Sequence, residues 1–158
     1  QIVLERDLSQ RGVYPPIAGL PSLSRLMKDG IGEGMTREDH RELAAQLFSA
    51  YAYVHTVRDL AAIIGEEELS DRDKIFLNFG DHFESEFLAQ GEFENRSIEQ
   101  TLDLGWKMLS LLPESELVRI PPQILAKYLP HDDSDNRNDQ NDQEKSDEVA
   151  ILKGLKEN

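Results

Sequence analysis

Gly19-Leu20-Pro21-Ser22-Leu23-Ser24-Arg25-Leu26-Met27 divides the sequence into two unlike parts. Ahead of it stand a short apolar run, Ile2-Val3-Leu4, and the proline pair of Tyr14-Pro15-Pro16, whereas behind it apolar residues recur at helical spacing. Within the stretch, Arg25 lies among small residues where extended chain gives way to loop. A guanidinium keeps its charge at any working pH and offers a planar fork of donors suited to phosphate oxygens, which makes Arg25 the candidate working residue. A lone arginine is also an ordinary surface charge, so the assignment needs support from the rest of the chain. Pro21 narrows the conformations open to the approach, so this segment has little freedom to lose on ordering.

Toward the N-terminus, Ile2-Val3-Leu4 reads as a buried strand, and a second extended piece is expected near Leu8. Gly12 to Pro16 is excluded from helix, because each proline drives its predecessor out of the α region. Toward the C-terminus, Gly30, Gly32 and Gly34 read as a hinge between two subdomains. They lack the lysine and hydroxyl ending of a phosphate-binding loop and the spacing of a dinucleotide fingerprint.

Thr36, with Asp39 three positions on, predicts a helix start resembling a capping box. Leu43, Leu47, Tyr51, Val54, Leu60, Ile63 and Ile64 give that helix its apolar face, the cluster Tyr51 to Val57 is a place for a kink, and Gly65 is a left-handed C-cap. After the acidic turn Glu66 to Asp71, Ser70 and Asp73 cap a helix in which Ile75, Phe79, Phe83 and Phe87 recur every fourth position as core, and which Gly91 ends. Ser97 and Gln100 form a capping box for a helix carrying Ile98, Leu102, Trp106, Leu109 and Leu112. Pro113 breaks it. Pro121-Pro122 opens a last helix through Tyr128, and Pro130 closes the folded part. From His131 to about Glu148 the chain has no apolar residue to offset ordering entropy and is expected to be disordered, with a frayed apolar patch at Val149 to Leu152 and Leu155. The fold class is mainly α: a C-terminal helical bundle over residues 35–130, a short β and loop segment over 1–34, and an acidic tail over 131–158.

At 158 residues, 39% of them hydrophobic, the chain has material for one core. Its 31 acidic against 17 basic residues, a net charge of -14, oppose binding to nucleic acid or anionic lipid. Cysteine is absent, which excludes disulfides and thiolate metal sites. No apolar run approaches the ~20 residues of a membrane span, and no signal segment is visible, so the chain reads as soluble. Opening on Gln1 with no initiator methionine, it reads as entering mid-strand, a piece of something longer. His82 and Glu86 have ligand spacing on one helix, yet no second histidine shares the face, so no metal site is assigned. Asn95-Arg96-Ser97 fits the glycosylation pattern with nothing else arguing for secretion, and Ser24 has no base nearby in sequence.

Taken together, Gln1-Ile2-Val3-Leu4, Tyr14-Pro15-Pro16-Ile17, Leu20 to Met27, Thr36-Arg37-Glu38-Asp39-His40, Ile64-Gly65-Glu66-Glu67, Gln90-Gly91, Glu94 to Ser97 and Leu102-Asp103-Leu104-Gly105-Trp106 resemble the C-terminal third of the B subunit of archaeal A-type ATP synthases and vacuolar-type ATPases. The likeness runs from residue 1 to about Pro130. It implies a rotary machine in which three catalytic A and three non-catalytic, regulatory B subunits alternate around a central stalk, peripheral to the cytoplasmic face of a membrane and without direct insertion. It implies that residues 1–34 end an α/β nucleotide-binding domain, and that ATP or ADP with Mg sits at the A–B interface and is not bound by this chain alone. Arg25 matches the arginine that reaches in trans to the nucleotide on A, with Ser22 and Ser24 nearby as weaker, loop-holding candidates. Glu67, Glu68, Leu69, Ser70, Asp71 and Asp73 fall where related subunits carry an acidic lever, which implies contact with the stalk, although an acidic turn capping a helix is an equally good reading. Because the rest of that nucleotide-binding domain is absent, the strand and loop edges around Ile2 to Ile17 are expected to be poorly ordered alone, while Thr36 to Tyr128 can fold as a bundle. Two other readings remain: a free-standing acidic helical adaptor for a basic protein partner, and a metal-dependent hydrolase using His82 and Glu86.

Overall fold

A computed structural model describes residues 1–130 of the chain; the expectations for the tail lie outside the described residues. Strands β1 (Val3–Leu4) and β2 (Ile17–Ala18) pair antiparallel, Val3 opposite Ala18 and Leu4 opposite Ile17. Between them, α1 (Arg6–Gln10) occupies the place expected to be extended. Helical geometry turns Leu8 inward, where with Val13 and Ala18 it forms a small core closed by Leu88 and Ala89 from the helical part. The strand expected to be buried is a two-residue ribbon with Ile2 and Leu4 on the surface, since no second layer covers that side. The lead-in is thus docked and hydrogen-bonded, where loose edges were expected.

After the short α2 (Met27–Gly30), Gly32 and Gly34 take φ of 98° and 85°, values that glycine alone adopts at little cost. Thr36 closes this turn: its Oγ1 accepts the Gly32 N–H at 2.8 Å and lies 3.1 Å from His40 Nδ1. With its hydroxyl so engaged it caps no helix, and α3 (His40–Ile64) begins after Asp39, whose side chain makes no capping bond.

The long α3 runs unbroken through Tyr51 to Val57. Leu43, Leu47, Tyr51 and Val54 are buried as expected, and Val57 joins them on the inward face. Leu60, Ile63 and Ile64 are exposed, because Val57 is the last α3 side chain to be buried. Gly65 ends the helix with φ 91° and its N–H on Ala61, but its ψ of 148° is extended, not left-handed helical.

A 3-10 turn (Glu66–Glu68) leads into α4 (Asp71–His82), where Ser70 Oγ accepts the Asp73 N–H at 3.2 Å. The helix does not run on to Gly91; at Phe83 it widens into a π turn (Phe83–Leu88). The aromatic stripe survives the change of pitch, with Phe79 stacked on Phe83 at 5.6 Å between ring centroids and Phe83 on Phe87 at 4.8 Å. Both halves of the Ser97–Gln100 capping box form at the start of α5 (Ile98–Leu109). Buried Gln46 accepts from the Arg119 N–H and donates to the Glu116 carbonyl, both at 3.0 Å, which fastens the loop after Pro113 to α3 before α6 (Pro122–Tyr128) packs on. Two glycines allow close crossing: a Cβ on Gly80 would lie 2.4 Å from Val54 Cγ1, and one on Gly105 would lie 3.1 Å from Leu47 Cδ1.

Candidate functional site

The loop that presents Arg25 is built on the small sheet. Ser22 Oγ accepts the Val3 N–H at 3.0 Å and donates to the Ala18 carbonyl at 2.5 Å, and the Leu23 N–H donates to the Gln1 carbonyl at 3.0 Å. Ser22 is therefore spent on holding the loop. Ser24 and Arg25 follow it on the surface, and neither side chain bonds any other described residue. Most other arginines among the described residues are committed: Arg11, Arg37, Arg58, Arg72 and Arg96 pair with carboxylates, and Arg41 donates to the Lys28 carbonyl. On either side of Arg25 in the loop, Leu23, Leu26 and Met27 are exposed, so the cation is flanked by apolar side chains of the kind that a partner surface covers.

The acidic turn presents a second surface. Glu67, Glu68 and Asp71 are exposed, and Ser70 caps α4. Leu69 is buried and anchors the turn from inside, and Asp73 accepts from Ser70 Oγ at 2.6 Å and Tyr53 Oη at 2.7 Å, bonds that hold its carboxyl below its ordinary range. The available negative charge thus lies on three of the six residues singled out. Arg72 stacks 4.5 Å over the Tyr53 ring and pairs bidentately with Glu116, tying the turn to the loop before α6.

Two carboxylates are buried where the sequence reading placed neither in the core: Asp39, read as part of a helix cap, and Glu84, not singled out. Asp39 is fully buried, gripped by Arg37 at 2.7 and 2.9 Å and by Trp106 Nε1 at 2.5 Å. Burial works against its charge, but these bonds outweigh it and hold the carboxyl below its usual range. Glu84, at the head of the π turn, is bonded by Tyr51, Arg58 and Arg11. Here too burial is overcome by the bonds from Arg58 and Tyr51, so the group stays ionised. Their partners lie up to 73 residues away in sequence, beyond the reach of any local pattern.

His82 and Glu86 do meet, at 2.7 Å, with the second Glu86 oxygen taken by Lys107, also at 2.7 Å. Among the described residues no group of three or more His, Asp or Glu side chains could hold a metal ion, and no helix is long and apolar enough to cross a membrane.

Residues 29–129 match the model of the C-terminal domain of V and A type ATP synthase. The chain belongs to that family. Among curated relatives of this ATP synthase domain, V-type ATP synthase beta chain 2 of Treponema pallidum is 66% identical over 82% of the chain, which spans 27% of that protein. The B subunit of the A-type ATP synthase of Thermofilum pendens is 61% identical over 82% of the chain, and that of Methanopyrus kandleri 59% over the same share; the chain spans 28% and 13% of them. An ATP synthase subunit from Nanoarchaeum equitans, solved as a structure, is 41% identical, with a TM-score of 0.65 over 72% of this chain and 28% of that one. The ATP synthase C-terminal domain thus occupies less than a third of the relatives it matches.

Proposed function

We propose that this chain is the C-terminal part of a non-catalytic B subunit of a rotary A- or V-type ATP synthase, completing in trans the ATP site of a catalytic A subunit. The observation that carries this reading is Arg25: a surface guanidinium without a partner in its own described chain, on a loop braced by Ser22 and flanked by apolar side chains. Membership of the ATP synthase family supplies the context, and 66% identity to a beta chain favours this reading over a free-standing adaptor.

Charge builds on the phosphoryl oxygens during transfer, and an arginine delivered from a neighbouring subunit can contribute about 10³ to 10⁵ in rate, or roughly 4 to 7 kcal/mol. ATP or ADP with Mg is the substrate of the complex and would be held mainly by the A subunit; this chain supplies the Arg25 fork. The exposed carboxylates of Glu67, Glu68 and Asp71 would face the central stalk, with Leu69 fixing the turn from within. The complex would sit peripherally at the cytoplasmic face of a membrane.

Replacing Arg25 with alanine in the full-length subunit, assembled with its catalytic partner, is expected to lower steady-state ATP turnover by about 10³ or more, with ring assembly and most nucleotide affinity retained. Arg25→Lys should fail nearly as badly, because an ammonium cannot reproduce the bidentate fork. Loss of assembly in step with turnover would make Arg25 a structural residue and overturn the assignment.

A further inference from the structure

Glu84 belongs to neither candidate surface, yet it is a buried carboxylate held by cations from two separate parts of the chain. Its Oε1 accepts from the Tyr51 hydroxyl at 2.8 Å and from Arg58 Nη1 at 2.6 Å, so α3 alone supplies its charge partner. Arg58 also reaches Oε2, at 3.3 Å. The main occupant of Oε2 is Arg11, from the end of α1 in the lead-in. Because Glu84 is already neutralised by Arg58 within the bundle, Arg11 is not needed to balance a buried charge there. What Arg11 adds is a link between two bodies of structure.

The link is local and directional. It sits at the head of the π turn, a backbone form that recurs at functional positions. Beside it the Gln90 N–H donates to the Tyr14 carbonyl at 2.6 Å, a second polar bridge between the lead-in and the π turn. From Arg11 onward the lead-in is continuously bonded to the Arg25 loop through the Val3–Ala18 strand pair and the Ser22 contacts. Displacement of the π turn therefore has a bonded route to Arg25.

We infer that Arg11 and Glu84 form a strut that sets the position of the Arg25 loop relative to the helical bundle, making Arg11 a positioning residue for the group that Arg25 meets. This rests on the reading of Arg25 given above.

The test uses the full-length subunit in its assembled ring, with spin labels for the distance measurement on cysteines introduced at Asp29 and Ala62, both on the surface, and kcat read in the unlabelled ring. Arg11→Gln is expected to broaden the distance distribution between the labels and to lower kcat for ATP about ten- to a hundredfold, the scale set by a misplacement near 1 Å, while KM is little changed. Arg11→Lys, which restores the charge, should return both readouts toward the parent. An unchanged distance distribution in Arg11→Gln overturns the strut, and so does a broadened one with unchanged kcat. The Arg25→Ala ring separates the two ideas: if it turns over normally, the Arg25 assignment falls, whereas a dead Arg25→Ala ring beside an unaltered Arg11→Gln ring condemns the strut alone.

Discussion

Placing a methyl group on Gly80 tests how tightly α3 and α4 cross. The added Cβ would lie 2.4 Å from Val54 Cγ1 and 3.1 Å from Cγ2, and Arg58 Nη2 stands 3.4 Å away. Val54 is fully buried and β-branched, so inside a helix it has essentially one rotamer and cannot swing aside. Alanine also brings a helix-propensity gain of about 0.5 to 1 kcal/mol over glycine. Overpacking of a filled core costs typically about 1 to 3 kcal/mol. The clash wins, and Gly80→Ala is expected to destabilise by about 1 to 2 kcal/mol. With a urea slope of about 1 to 3 kcal/mol/M, the unfolding midpoint of the chain should fall by roughly 0.5 to 1 M. Val54→Ala alone removes buried methyls and is also destabilising, but in the double variant the new methyl at position 80 occupies part of the vacated space. The double variant should therefore be more stable than the sum of the singles by about 1 kcal/mol, a coupling that a double-mutant cycle resolves. A stabilised Gly80→Ala, or additivity within error, would refute the proposed contact between the two helices.

Asp39→Asn should cost about 2 to 3 kcal/mol, since it leaves Arg37 only the exposed Asp103 as a charged partner, and thermal unfolding should fall by about 5 to 10 °C. The emission of Trp106, the sole tryptophan, should shift in the folded state as its bond to the carboxylate weakens. Stability should also decline on acidification. His40, Glu84 and Asp39 all bind their protons less readily folded than unfolded, so the unfolded chain holds the extra protons and stability rises with pH. The decline begins as pH drops below His40's ordinary 6.5 and steepens below about 4.5, where Glu84 and then Asp39 would ordinarily protonate. Urea titrations across pH 7 to 3 measure this, and Glu84→Gln should flatten the acid limb.

Signals confined to a few neighbouring residues were legible in the sequence. The Ser97–Gln100 box, the Ser70 cap and the Phe79, Phe83, Phe87 stripe depend on contacts three or four positions apart, and the structure forms each of them. Thr36 misled because a hydroxyl before a helix has two uses, and the nearby glycine turn claimed it. Leu60, Ile63 and Ile64 misled because periodicity marks a face without saying how far along it burial extends. Leu8 was read as extended because so short a helix shows less than two turns of pattern. Glu84 looked like one more acid in an acidic chain and Asp39 like a helix cap; their burial follows from Arg11, Arg58 and Trp106, brought in by tertiary folding. Arg25 was singled out by residue type and motif, and it stands exposed, with no bond from its side chain to another described residue.

Arg96 inserts a nearly buried guanidinium beneath the π turn, donating to the carbonyls of Phe87 at 2.7 Å, Ala89 at 2.8 Å and Glu86 at 3.2 Å. Those carbonyls do not titrate, so these three bonds are indifferent to acid, whereas the fastening at Glu84 depends on a carboxylate. Acid below Glu84's ordinary 4.5 should then loosen the first twenty or so residues before the turn they rest on loses its shape. Proteolysis in that window would trim the chain from its N-terminal end and leave a helical remainder.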